Sequence, residues 1–383
     1  MVSVMSKNQQ VTPFQVNVPQ TDIDDLRDRL ARTRWPHPVP GRDDRVDFSR
    51  GIPVAYLKEL VEYWRDGFDW RAQEARLNEI EQVTTIINGQ TFHVVHAKSS
   101  NPEATPLLLH HGWPGSFVEY QRLIPLLTNE FHVVVPSPPG FGFSTPLAST
   151  GWELPQTADA FAEIMTRLGY QRFAAHGTDV GTGIMARLAS VYPERVIGTH
   201  YGAERRLLGL VGVLFPAPVD LSSEESSQLA AMQAAAASER GYLEMHNHKP
   251  DTIGAALTDS PVALLAWIVE KFKTRDDNGS TPDESVDRDQ LLANVTMYWF
   301  TRSGESSAQF YYEAQHSGIE PAMFAPVPTG WAVFDTHPLM RRVMNPAGAI
   351  AHWTEYAEGG HFPAMEQPAL LADDIRTFIR SIP

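Results

Sequence analysis

The sequence predicts a doubly wound, mostly parallel α/β sheet with helices on both faces. Three observations lead there. Short runs such as TPLLLHHG and FHVVVPSPPG are apolar almost without interruption, as strands are when both faces of a sheet are covered. Segments with apolar residues at helical spacing separate these runs, so strand and helix alternate along the chain. Near Ala203 the alternation gives way to a mostly helical stretch, and it resumes at VPTGWAVF.

From the N-terminus, PFQVNVP reads as a strand-like run, followed by a helix with Ile23, Leu26 and Leu30 on one side. Thr21 is its expected N-cap, with Asp24 three residues on. A second helix is expected over 54–66, where Leu57, Leu60, Val61 and Trp64 share a face. Apolar stripes of this size need a surface to bury them, so the two helices must pack on the rest of the molecule. VTTII and TFHVVH flank Asn88-Gly89, a hairpin signal, because a two-residue turn needs positive φ at both positions. The strands TPLLL, FHVVVP, FAAHG and RVIGTHY follow, with helices expected over 117–127, over 158–168 and after Gly181. The helical stretch holds the Ala-rich LAAMQAAAASERGYL, an apolar helix over 262–272 and the polar loop DDNGSTPDES. HWTEYA reads as a further strand, and a last amphipathic helix presents Leu371, Ile375, Phe378 and Ile379 on one side. The expected division is an N-terminal segment over 1–82, a first core part over 83–202, a mostly helical insertion over 203–325 and a second core part over 326–383.

At 383 residues the chain can bury a large core, and 43 % hydrophobic residues suit a globular protein. A net charge of −15 without a basic stripe argues against a nucleic-acid partner. The absence of cysteine removes disulfides, a thiolate nucleophile and thiolate metal ligands together. Residues 1–12 are polar and lack the apolar core of a signal peptide. No stretch approaches the roughly 20 apolar residues that span a bilayer. A cytoplasmic protein with no membrane partner is the expectation.

The chemistry concentrates in FAAHGTDVGTG. A strand enters Gly177-Thr178-Asp179-Val180-Gly181 and a helix leaves it, the strand–turn–helix pattern of a nucleophile elbow. Serine is the usual occupant of the exposed position; here it is Asp179, and no Gly-x-Ser-x-Gly occurs elsewhere. A carboxylate nucleophile forms an ester with an sp³ carbon, which suits epoxide opening or dehalogenation rather than ester hydrolysis. Aspartate also caps helices, so Asp179 does not decide the matter alone. His111-Gly112-Trp113-Pro114 follows a strand at the place where such a sheet carries part of its oxyanion hole. The backbone N–H groups of Trp113 and Val180 are the candidate donors. EGGHFPAMEQP sets His361 between a strand and the last helix, the position of the base, in the chain order nucleophile then histidine. The glycines of PGFGFS lack the full dinucleotide fingerprint, and no metal, flavin or nucleotide cofactor is expected.

These segments resemble the epoxide hydrolases of the microsomal type. The resemblance runs almost end to end, through PFQVNVP, HGWPGS, PGFGFS, GTDVG, KPDTIGAALTDSPVALLAWIVEKF, VPTGW and GGHFPAMEQP. The sequence is also similar to bacterial members of that family linked to natural-product biosynthesis, enediynes included. The resemblance implies an α/β-hydrolase fold with a helical lid and an N-terminal meander, acting on a small-molecule epoxide and water. The membrane anchor of microsomal members is not expected here. Two lid tyrosines that hydrogen-bond the epoxide oxygen are also implied: Tyr242 in SERGYLEMH, and Tyr311 in AQFYYEA with Tyr312 as a close rival. A phenol with a pKa near about 10 can donate to the developing alkoxide while staying neutral at physiological pH.

Two positions depart from the family. Its elbow often reads Gly-Gly-Asp-Trp-Gly, whereas Thr178 and Val180 flank Asp179 here. The acid that orients the histidine is a glutamate in microsomal members, and His337 stands at that position. Asp335, at the end of the same expected strand, is the first candidate, and Glu313 beside the lid tyrosines is the second. Trp113, Phe141, Phe143 and the lid aromatics suggest a bulky apolar pocket and hence an aryl or large alicyclic epoxide. The expected reaction makes a vicinal diol through an Asp179 ester that His361-activated water hydrolyses. Two other readings stay open: a haloalkane dehalogenase-like hydrolase, and a catalytically silent relative that binds a small apolar ligand. Self-association as a homodimer also stays open.

Overall fold

Runs of Val, Leu and Ala that are apolar on both sides can only be strands with both faces covered, and the sheet is built round them. The computed structural model describes residues 10–37, 39–41, 45–273, 281–319 and 326–382. Among these residues nine strands form one sheet: β1 (Thr12–Phe14), β2 (Gln82–Ile87), β3 (Gln90–Ala97), β4 (Thr105–His110), β5 (Phe131–Pro136), β6 (Phe173–Thr178), β7 (Val196–Glu204), β8 (Thr329–Phe334) and β9 (His352–Glu355). Their spatial order is β1-β2-β3-β5-β4-β6-β7-β8-β9. The β1, β2, β3 and β5 neighbours pair antiparallel, and every pair from β5 to β9 is parallel. Every residue of β5 and β6 is buried. The β2–β3 hairpin turns at Asn88 (φ 51°) and Gly89 (φ 82°), as its Asn-Gly pair requires.

Before β2 run α1 (Gln20–Ala31), α2 (Val54–Asp66) and the unexpected α3 (Trp70–Leu77). Helix α1 starts behind Pro19, so Thr21 lies inside its first turn and is not the cap. The helix expected over 117–127 is a 3₁₀ turn at Phe117–Tyr120 and a separate α4 (Ile124–Leu127). Pro125, in the first turn of α4, has no N–H to carry the preceding turn onward. Helices α5 (Leu154–Arg167) and α6 (Val180–Val191) flank β6.

Between β7 and β8 lie α7 (Ser223–Ser238), α8 (Gly241–His248), α9 (Pro250–Asp259), α10 (Pro261–Val269), α11 (Pro282–Ser285), α12 (Arg288–Thr301) and α13 (Ser303–His316). The start of the polar segment DDNGSTPDES lies outside the described residues, and its end forms α11. Helix α14 (Pro338–Met344) joins β8 to β9, and α15 (Pro363–Glu366) and α16 (Pro368–Ser381) close the chain. Among the described residues no single helix is long and apolar enough to cross a membrane.

The meander is fastened by directed bonds as well as by its apolar face. Tyr56 donates to Asp283 at 2.7 Å, Tyr63 to Asp289 at 2.8 Å, and Trp64 Nε1 to Thr296 Oγ1 at 2.9 Å. All three acceptors lie on α11 or α12. The N-terminal helices therefore brace the helical excursion between β7 and β8.

A buried polar knot holds α16 to the sheet. Asp374 Oδ1 accepts from His200 Nε2 and His352 Nε2, each at 2.8 Å, and its Oδ2 from Tyr356 at 2.7 Å. Burial alone raises this carboxyl, but its hydrogen bonds to His200, Tyr356 and His352 hold it well below its ordinary pKa of 3.8. A depressed carboxylate pKa contributes stability that is whole above the unfolded value and is lost as pH falls through the folded one. Asp374→Ala is expected to cost roughly 3 kcal/mol at neutral pH, because it strands buried partners. The gap from wild type should begin to narrow below about pH 3.8. Urea unfolding curves across that range measure both effects.

Candidate active site

Six buried residues of β6 end at Asp179, whose backbone takes φ 52° and ψ −125° before α6 begins. A positive φ at a residue with a side chain is strained, and such strain collects where a side chain must be presented. The neighbouring glycines make the turn sterically possible. A Cβ on Gly177 would lie 2.5 Å from the Gly181 carbonyl oxygen, and one on Gly181 would lie 2.4 Å from that of His110. Gly112 closes the third side, since its Cβ would stand 2.2 Å from the Cβ of Asp179. The loop after β4 thus lies directly against the carboxylate, and Trp113 N–H donates to Asp179 Oδ1 at 3.2 Å. Val180 is the first residue of α6, so its N–H has no carbonyl of that helix to bond.

Across the carboxylate stands His361, after β9 and before α15. Its Nε2 is 3.5 Å from Asp179 Oδ2, and its Nδ1 is 3.4 Å from Glu204 Oε1. The acid beside His361 is therefore Glu204; the structure does not bring the expected Asp335 or Glu313 to the histidine. The reason is the length of β7. That strand continues three residues past Tyr201, and its register pairs Glu204 with Phe334, the residue before Asp335. Glu204 occupies the ground next to the histidine, while Asp335 turns aside at φ 43° and pairs with Arg205 at 3.1 Å. His337 has become the cap of α14, accepting from Leu339 N–H. Glu313 is half-buried on α13.

The charges in this row support one another. Burial opposes ionisation at both His361 and Glu204. Their mutual hydrogen bond and charges outweigh it, together with Asp179 at the histidine and Arg206 at the glutamate. His361 ends above its ordinary pKa and Glu204 below it. Glu204 Oε2 also accepts from Arg206 N–H at 2.6 Å, which fixes the carboxylate in place. Nearby Glu119 is pushed up to about 8 by burial, so it adds little negative charge at neutral pH.

Tyr242 stacks on Trp113 with ring centroids 4.8 Å apart, and Tyr311 meets the same indole edge-on at 6.1 Å. Burial, then the charge of Asp179, pushes both phenols upward, so both keep their protons. Tyr312 is 37 % exposed and lies against His316, away from these rings. His246, which the sequence reading passed over, accepts from Trp267 Nε1 at 3.1 Å and packs among Trp113, Tyr242 and Tyr311. A cavity of about 540 Å³ opens in front, lined by Asp179, His361, Tyr311, Trp331 and a wall that includes Leu207 and Leu214. Trp113, Phe141 and Phe143 do not line it. The first two are core residues, and Phe143 packs against Phe14 and His93. The wall is mainly aliphatic.

Helix α12 holds the loop that faces Asp179. Asn294 Nδ2 donates to the Pro114 carbonyl at 2.8 Å, Tyr298 to that of Gly115 at 2.8 Å, and Gln290 Nε2 to that of Val118 at 2.9 Å. These three sit four residues apart, one face of a helix. The polar atoms of His200, His352 and Asp374 also converge closely enough to hold a cation, but hydrogen bonds already join them. Removing the negative charge beside His361 should be visible without any substrate. Glu204→Gln is expected to bring the His361 titration midpoint down, and Asp335→Asn to move it far less. Histidine ring resonances followed by NMR against pH decide between the two acids.

Residues 11–120 match the family model described as epoxide hydrolase N terminus, and residues 105–198 match the alpha/beta hydrolase fold. A homologue from Stigmatella aurantiaca (strain DW4/3-1) is 39 % identical over 97 % of this chain and 85 % of its own. Epoxide hydrolase 1 of Sus scrofa is 34 % identical, over 98 % of this chain and 89 % of its own. Among solved structures, the epoxide hydrolase of Aspergillus niger superposes with a TM-score of 0.83 at 31 % identity, covering 98 % of this chain and 97 % of that one. With a fold and relatives that agree over nearly its whole length, the chain belongs to the epoxide hydrolase family.

Proposed function

We propose that this enzyme converts an epoxide to a vicinal diol in two steps through an ester on Asp179. The observation that carries this reading is the line Glu204–His361–Asp179, held at 3.4 and 3.5 Å behind a cavity that ends on the carboxylate. Trp113 N–H engages Oδ1, so Oδ2 is the oxygen left to attack a ring carbon. The carbon–oxygen bond of the ring breaks, and its electron pair goes to the epoxide oxygen. Tyr242 and Tyr311 donate to that oxygen and neutralise the alkoxide. Oδ1 becomes the ester carbonyl oxygen, already in contact with Trp113, and the Val180 N–H, unbonded within α6, is the second donor of the oxyanion site.

The electrostatics favour the second step. In the resting enzyme the Asp179 carboxylate helps to raise the His361 pKa. Ester formation removes that negative charge, so the histidine becomes easier to deprotonate just when a base is needed. His361 then takes a proton from water, which attacks the ester carbonyl, and Glu204 balances the imidazolium. Collapse of the tetrahedral intermediate breaks the bond between the Asp179 carboxyl carbon and the substrate oxygen, that oxygen takes the proton from His361, and the diol leaves. The proton of the new Asp179 carboxylic acid goes back to the tyrosine that gave one up, and the carboxylate returns. A cavity of about 540 Å³ with an aliphatic wall suits a bulky epoxide, aryl or alicyclic.

Racemic styrene oxide in ¹⁸O-water tests the route. The first-turnover diol should carry unlabelled oxygen from the protein, and later diol should carry label. Label entering fully in the first turnover would mean direct attack by water, and halide release from a haloalkane without diol formation would favour a dehalogenase. His361→Gln should accumulate a covalent adduct heavier by one epoxide, seen by intact-protein mass spectrometry. Tyr311→Phe should lower kcat/KM by about 10²-fold, against about 10⁴-fold or more for Asp179→Ala.

A further inference from the structure

One carboxyl in the cavity has no part in this mechanism. Glu153 immediately precedes α5 and lines the same cavity as Asp179. It is only 3 % exposed, its Oε1 has no hydrogen-bond partner, and its side chain does not cap the helix it precedes. The Leu154 N–H is the one backbone donor that acts on this carboxyl, and the buried Oε1 left over beside a ligand cavity calls for an account in terms of the ligand. Arg187 on α6 and Glu313 on α13 are the charges that act on it. Leu154 packs on Gly183, and Thr182 turns its hydroxyl back to the Gly177 carbonyl.

Given the reading of Asp179 proposed above, we infer that Glu153 is a specificity residue that takes a hydroxyl group on the substrate, carried away from the oxirane ring. A hydroxyl suits the position because it donates to a carboxylate and accepts from a carboxylic acid. Burial favours the protonated form here, so a partner able to do both binds in either state. A cation would match only the ionised form. The span is set by α6: Gly183, which packs on Leu154, lies four residues past Asp179, about 6 Å along the helix axis. The hydroxyl therefore belongs several bonds from the reacting carbon. A substrate held at both ends would also present one chosen ring carbon to Asp179.

The test compares 1,2-epoxybutane, 1,2-epoxyhexane and 1,2-epoxyoctane with the same epoxides hydroxylated at the far terminal carbon. Wild type should prefer the hydroxylated member of at least one pair by about tenfold or more in kcat/KM. Glu153→Leu should bring that ratio within about threefold of one, whatever it does to either rate alone. Glu153→Gln, which keeps an acceptor and a donor, should retain most of the preference. Equal turnover within every pair by wild type overturns the assignment and leaves the Asp179 reading standing. A ratio that survives in Glu153→Leu overturns it as well, since a purely structural acid would lower both rates together. Failure of wild type to hydrolyse any of the six while it turns over styrene oxide overturns this inference and leaves the Asp179 reading standing; failure on styrene oxide as well overturns both.

Discussion

The strand-to-helix turn at Asp179 is the constraint from which the rest of the site follows. A side chain held at φ 52° stands clear of both the strand it leaves and the helix it starts. That exposure is obtained by bringing three backbones closer than side chains allow. Gly112, Gly177 and Gly181 are each a Cβ away from collision with the carboxylate residue or its neighbours. Because β4, β6 and α6 converge there, the Trp113 N–H reaches Asp179 without any adjustment. His361 and Glu204 then complete the arrangement from the other side. Preorganisation of this kind lets the donors face developing charge with little rearrangement during reaction.

Much of this was legible in the sequence because it depends on local rules. The apolar runs of β5 and β6, the Asn-Gly hairpin and the glycine-flanked aspartate each specify their geometry within a few residues. Helix α2 was found at its observed bounds for the same reason, since its apolar stripe is long and regular. The split of the segment after HGWPGS and the early start of α1 were harder, because Pro125 and Pro19 redirect the chain between neighbouring turns. Proline effects act over one or two residues, within the usual uncertainty of helix ends.

The acid beside His361 was not legible, and the cause is register rather than chemistry. RVIGTHY reads as a complete strand, so Glu204 was assigned to the helical excursion that follows. In the structure GAE continues the strand, and parallel pairing sets Glu204 beside the end of β8. Two adjacent parallel strands thus offer neighbouring positions from which an acid can meet His361, and this chain uses the earlier one in sequence. His337 and Asp335 are free to serve as a helix cap and an ion-pair partner. A polar residue closing a strand that can be prolonged by small residues was the available signal. Asn294, Tyr298 and His246 carried no such signal, because helical polar residues are mostly solvated, and these face buried loops only through tertiary packing.

Helix α12 has a consequence for how the molecule should be divided. One face holds the carbonyls of Pro114, Gly115 and Val118, and Thr296 on another receives the indole of Trp64. The N-terminal meander and the peptide facing Asp179 are therefore two hydrogen-bonded steps apart, with one rigid rod between them. In mechanical terms the meander is a foundation for the loop after β4 rather than a wrapping round a finished enzyme. Substrate scope and N-terminal architecture cannot vary independently in such a frame: a shift of α2 large enough to reshape the helical roof also moves the ground under Asp179.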